Sequence, residues 1–327
     1  MDTHLHVDVD MGSADAENPK IDLARAIKKS GMNAIGMNFA VDYVDLTEKG
    51  QAFDRFTNAM NAFDKILEEN NLKRTLTDAD FKEHLKKNEP VVIQAVEGAH
   101  FLEGDVSRVQ IAYDRGIRIF DVFHDEHANP SLGDVFGKPQ VYGGLTDLGR
   151  ETIREAERLG MVVDITHASE KTILDALQVV TKPFLLSHTA LLSSLQSEEN
   201  PLAPFFEMRY ISEELAKKIA DAGGVIGVWP QITETPDVYA KRVRAMTNVV
   251  GTDHVALGSD SKITPAFDER KKSFNPAPAY KNHVWTAVGD SYYHSIVVAL
   301  AKEGFSKEEI YKLCGGNFYK VFEAAGK

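Results

Sequence analysis

Seven residues able to bind a metal or carry a proton stand at the ends of short apolar runs. They are His4 and His6 in THLH, Glu97 in VVIQAVE, His124 in IRIFDVFH, His167 in MVVDITH, His188 in PFLLSH and Asp260 in VALGSD. Side chains alternate faces along a strand, so His4 and His6 lie on one side and can share an ion. A lone H-x-H is more often a surface or packing feature. Here, however, polar groups end six apolar runs, where they are costly in a core and useful at a site. Imidazoles plus a carboxylate suit zinc-like divalent ions. Counting Asp260 or His124 as well, the set exceeds the three protein ligands of a typical single-ion site. It suits two cations about 3.5–4 Å apart that share a bridging carboxylate. The chemistry that needs such a pair is hydrolysis of an amide or ester.

The elements that must position these residues are eight runs with strand character: Thr3–His6, Asn33–Asn38, Val91–Glu97, Ile117–His124, Met161–His167, Pro183–His188, Val225–Trp229 and Val255–Asp260. Between them lie segments with apolar residues three or four apart, such as IDLARAIKKSG and DLGRETIREAERLG. Several finish at a glycine (Gly31, Gly116, Gly160), the residue that favours a left-handed helix end. The alternation predicts an α/β fold, a (β/α)8 TIM barrel over residues 1–327, with a doubly wound open sheet as the alternative. In such barrels the chemistry sits at the carboxyl ends of the strands, where these residues fall. The first strand begins almost at the chain start, so a leader or first segment is expected to precede it. Localisation is not readable from this terminus.

Composition removes other classes. The 327 residues are 43% hydrophobic and 26% charged, as in a soluble globular protein. A net charge of -12 argues against nucleic acid, which needs a basic footprint. Cys314 is the only cysteine, so no internal disulfide forms. No apolar run approaches the ~20 residues of a membrane span, and the terminus shows no signal peptide.

The stretch GGLTDLGRETIREAERLGMVVDITHASEKTILDAL closely resembles the membrane (renal) dipeptidase family, whose members carry G-L-T-x-x-G followed by D-[IL]-[ST]-H-x-S. In the family's order, MDTHLH resembles its D-[GT]-H-x-D opening, VEGAH its E-G-G-H, LLSHTA its S-H-S-[SA] and HVALGSD its G-[SG]-D segment. CGGNFYKVFEAA resembles the closing G-G-N-x-x-R-V-F, with Lys320 for arginine. The resemblance implies that His4 and His6 bind one zinc ion, His167 and His188 a second, and that Glu97 bridges them. It further implies that Asp260 shuttles a proton to the leaving amine and that His124 steadies the scissile carbonyl. Arg209, in MRYISEEL, would grip the substrate's carboxylate, although Tyr210 replaces the family's asparagine. The expected partners are a small peptide and, in a homodimer, a second copy of the chain.

Two departures qualify this. His6 stands where the family has aspartate, although H-x-H is common among metal-dependent amidohydrolases, and His6 with Asp8 offers a second register. GSDSKI replaces G-S-D-F-D-G, which bears on substrate choice. Other residues carry competing readings. Arg209 could form a surface ion pair, and His127 rivals His124 on position alone. Asn129 and Asp134 could line the pocket, Trp229 could wall it, and His100 could support Glu97. His84, His254, His283 and His294 read as structural. The expected activity is dipeptide or N-acyl amino acid hydrolysis. Its alternatives are an amidohydrolase acting on a lactone, cyclic amide or other non-peptide amide, and a silent binding protein, which would not need Asp260.

Overall fold

A computed structural model of the chain describes residues 1–16, 18, 20–194, 206–231, 233, 235–263 and 291–327; His283 lies outside these. The eight expected runs all form strands: β1 (Asp2–His6), β2 (Ala34–Asn38), β3 (Val91–Glu97), β4 (Ile117–Asp121), β5 (Val162–Asp164), β6 (Leu185–Thr189), β7 (Val225–Val228) and β8 (Val255–Leu257). A short β9 (Ser261–Lys262) follows β8 after three residues, and the parallel sheet runs 8-7-6-5-4-3-2-1-9. β8 pairs with β7 while β9 pairs with β1, so one bent final strand joins the two edges into a (β/α)8-like barrel. Parallel strands covered on both faces read as continuous apolar runs, and every residue of β3 is buried.

Alternation sorts each strand between two cores. Ile93 and Ala95 of β3 join Ile119, Val162, Leu185 and Ala256 in an inner cluster, which also holds Phe318, Val321 and Phe322 of the last helix, Asn317–Ala325. Val92 and Val96 belong to the larger cluster that includes the surrounding helices. Glycine is required where the barrel is tightest: a Cβ on Gly227 or Gly258 would lie 1.7 or 1.9 Å from the Ser187 carbonyl oxygen. Helix starts follow local chemistry too. Thr146 caps the helix Asp147–Leu159 by accepting from Gly149 N, and Gly160 ends it in the left-handed conformation.

Three strands stop three residues short of their runs; β8 ends at Leu257, ahead of Asp260. β4 ends at Asp121 and β5 at Asp164, leaving His124 and His167 in the following loops. Each terminal aspartate accepts the backbone N–H two residues ahead, Phe123 at 3.4 Å and Thr166 at 3.1 Å. Such a local turn competes with continuation of the strand. Among the described residues no helix is long and apolar enough to cross a membrane.

Candidate metal centre

Glu97, the last residue of β3, is the hub of the site. Its Oε1 lies 2.9 Å from His167 Nε2, 3.2 Å from His4 Nε2 and 3.8 Å from His188 Nε2. Its Oε2 lies 3.4 Å from both His6 Nε2 and His124 Nε2. Asp260 Oδ1 stands 3.1 Å from His6 Nε2. The bend between β8 and β9 puts it there: Asp260 has φ +48° and its N–H donates to the His4 carbonyl at 3.0 Å. His167 also has a left-handed backbone, φ +66°, which turns its ring back over Glu97. The five histidines and Glu97 are buried.

Supporting bonds fix which nitrogen faces the centre. The Ser187 hydroxyl lies 3.1 Å from His4 Nδ1 and 3.0 Å from His188 Nδ1. Accepting from both, it leaves both Nε2 lone pairs directed inward. Its own proton can then pass to Thr166 Oγ1 at 3.2 Å, which donates to Asp164 Oδ1 at 2.6 Å. Asn38 Nδ2 lies 2.8 Å from His4 Nε2 and donates to Glu97 Oε2 at 3.2 Å. On the opposite side, Asp42 accepts from His124 Nδ1.

Burial alone would raise the Glu97 carboxyl, but the imidazoles of His124 and His4 hold it well below the usual range. Burial would lower His124, yet Asp42 and then Glu97 outweigh it and raise it to about 10. His188 is pushed well below its ordinary value by burial and by His4, so it stays a neutral donor. Burial opposes ionisation of Asp260, but His188, His6 and Arg209 drive its carboxyl down. Asp121 moves the other way, raised by burial and by the neighbouring Asp164.

The donor set fits divalent cations. Two groups of ligand atoms, His4–Glu97–His188–Asp260 and Glu97–His124–His167, each lie within 4.8 Å of one another and share Glu97. The Nε2 atoms of His167 and His188, grouped on one ion by the family resemblance, are 3.0 Å apart.

The remaining residues divide. Arg209 is no surface ion pair: its side chain is 15% exposed, with Nη2 3.8 Å from Asp260 Oδ2. Its guanidinium lies 4.2 Å over the ring of Trp229, which is buried and packs 5.9 Å from the His188 ring. Arg209, His167, His188, Phe136 and Thr189 line a cavity of about 170 Å³. Asn129 is exposed and lines a separate cavity with His100 and His127. Asp134 does not line the pocket; it is buried and holds its own loop through three backbone N–H groups. His100 reaches Asp42 rather than Glu97. His84 meets Thr75 Oγ1, His254 meets the Gly224 carbonyl, and His294 is exposed. Sequence reasoning missed Asn38, Asp42 and Ser187.

The (β/α)8-like barrel thus carries a buried imidazole–carboxylate cluster at the carboxyl ends of its strands. A family model described as membrane dipeptidase (peptidase family M19) matches residues 1–327, and the chain belongs to that family. The dipeptidase tcpJ of Claviceps purpurea is 27% identical over 237 residues, 70% of this chain and 49% of that protein, so the chain spans about half the length of this curated relative. An amidohydrolase from Pseudomonas aeruginosa superposes with a TM-score of 0.78 at 20% identity, covering 99% of this chain and 96% of that one. A metallopeptidase from Rhodobacter sphaeroides, liganded with a phosphinate mimic of the dipeptide L-Ala-D-Ala, has a TM-score of 0.71 at 17% identity, covering 92% and 89%. At these identities the likeness bears on the fold.

Proposed function

We propose that this chain is a dinuclear, zinc-dependent hydrolase that cleaves the amide bond of dipeptides or related N-acyl amino acids. His4 and His6 would hold one ion, His167 and His188 the other, with Glu97 between them. Ions bound there would supply Lewis acidity toward a carbonyl oxygen and lower the pKa of water. The chain's own groups do the rest. His124 Nε2 donates to the carbonyl oxygen as negative charge develops on it. Asp260, beside His6, takes up a proton and delivers it to the leaving amine. Arg209, braced on Trp229, receives the substrate's free carboxylate in a planar fork.

The observation that carries this reading is the position of Arg209, with Nη2 3.1 Å from His188 Nε2. A carboxylate-binding cation this close to the donors selects a substrate whose carboxylate lies within a residue's length of the reacting bond. The test is hydrolysis of a dipeptide library by chelated protein with and without added zinc, alongside elemental analysis. Zinc-dependent cleavage of free dipeptides and two ions per chain are expected. Cleavage confined to lactones, cyclic amides or other non-peptide amides would replace the substrate assignment. Less than one ion per chain after loading would reject the dinuclear centre.

A further inference from the structure

Asp42 lies four residues beyond the end of β2, in FAVDYV, and nothing in that stretch marks it as functional. Its carboxylate is almost wholly buried, at 1% exposure, and every donor it meets comes from one neighbourhood. Oδ1 accepts the Nδ1 proton of His124. Oδ2 accepts the Glu126 backbone N–H at 3.2 Å and lies 3.5 Å from His100 Nε2. His100 Nε2 is itself anchored 2.9 Å from the Glu126 carbonyl. The far edge of the His124 ring points the other way, with Nε2 3.4 Å from Glu97 Oε2. One imidazole is thus strung between a buried acid outside the centre and the carboxylate at its heart.

A buried carboxylate is costly unless paired and hydrogen-bonded, and it contributes orientation more readily than stability. The His124 ring sits in a loop beyond β4, so no strand ladder holds it. Its orientation comes from the bond at Nδ1. We propose that Asp42 is a positioning residue for hydrolysis: by accepting the Nδ1 proton of His124, it fixes the ring so that Nε2–H faces the scissile carbonyl oxygen. This rests on the reading of His124 as the donor to that oxygen. A neutral amide cannot replace the acid. In Asp42→Asn, an amide with its oxygen toward His124 would bring its NH2 against the Glu126 N–H, donor against donor; the flipped amide would lose the His124 bond instead.

Asp42→Asn and His124→Ala, singly and together, test this in the full chain loaded with zinc. Asp42→Asn should lower kcat roughly 10–100-fold with KM little changed, the usual effect of removing a group that orients a functional histidine. In the His124→Ala background the same change should cost nothing further, because a positioning residue acts only through its partner. Metal content should be unchanged in Asp42→Asn. A second readout needs no turnover: proton NMR of the metal-free chain should show a strongly deshielded Nδ1 proton that disappears in both Asp42→Asn and His124→Ala. Equal kcat losses with and without His124 would overturn the proposal, as would a resonance that survives Asp42→Asn. If His124→Ala leaves kcat unchanged, the role of His124 itself fails, a distinct result.

Discussion

Arg209 Nη2 stands 3.1 Å from His188 Nε2 and 3.3 Å from His167 Nε2, so a guanidinium and two imidazole donors converge on one point. The stacking of Arg209 on Trp229, with Phe136 5.1 Å away on the guanidinium's other ring contact, keeps this cation at the cavity. If it binds the substrate's carboxylate, Arg209→Ala should hurt free dipeptides far more than their C-terminal amides. A charged hydrogen bond of this kind is worth about 1.5–3 kcal/mol, or roughly ten- to a hundredfold in kcat/KM. Equal losses on both substrates would reject the role.

The same proximity carries a prediction about cation affinity. A guanidinium beside two ligand nitrogens repels a divalent ion placed between them, even through an intermediate dielectric. Arg209→Ala should therefore bind zinc more tightly than the parent chain in the absence of substrate. Competition against a chromophoric chelator measures this directly, and an unchanged or weaker affinity would show that Arg209 does not oppose the ion.

Ser187 Oγ touches Nδ1 of both His4 and His188, which belong to the first and the sixth strand. Removing it frees two rings at once and leaves two buried Nδ1 protons without an acceptor. Ser187→Ala should weaken metal binding by about 10–100-fold, in line with the loss of groups that orient metal-binding histidines. Thermal melting with and without zinc would separate this from unfolding: the metal-free protein should melt below the parent, because two buried N–H groups lose their acceptor, and the stabilisation gained on loading should shrink in addition.

Much of this centre was legible because apolar runs that stop at His or Glu are unusual. The six runs that end so did bring Glu97, His4, His6, His124, His167, His188 and Asp260 together. Strand ends were less legible. IRIFDVFH and MVVDITH look continuous, yet Asp121 and Asp164 turn the backbone back onto themselves before the histidines. The supporting residues could not be read at all. Ser187 and Asn38 are ordinary polar residues inside strands, and Asp42 is an acid in a loop. Each acquires a role only through distance in space: Asp42 and His124 are 82 positions apart, Ser187 and His4 183. Asn129 misled because loop polarity alone does not say which side faces the site.

Asp260 meets His6 at 3.1 Å and Arg209 at 3.8 Å, and both contacts favour its ionised form, ready to accept a proton. Asp260→Asn should keep nearly full metal content and lower turnover by roughly 10²–10⁴, the usual effect of losing a positioned acid–base group. Metal analysis of the variant decides the point, because loss of an ion together with activity would make Asp260 a ligand instead of a shuttle.

The loop that carries Phe136 against the His167 ring is itself held by Asp134, whose oxygens accept Val141 N at 2.8 Å, Tyr142 N at 3.0 Å and Gly144 N at 2.8 Å. Burial would raise this carboxyl, but the Tyr142, Gly144 and Val141 N–H groups outweigh it and hold it below its ordinary value. The folded group therefore releases its proton at lower pH than the unfolded one, which titrates near about 3.9. Its stabilisation is fully present above the unfolded value, and it is lost as pH falls through the folded value, because the unfolded chain takes up the proton first. Asp134→Asn leaves an amide that cannot accept from all three donors, and should cost about 1–3 kcal/mol at pH 7. At pH 3 the gap between variant and parent should narrow, since the parent's carboxylate is by then losing its advantage. Urea unfolding of both proteins, free of metal, at pH 7 and pH 3 measures the two gaps. A gap of the same size at both values would mean that Asp134 supports the loop by shape alone, without its charge.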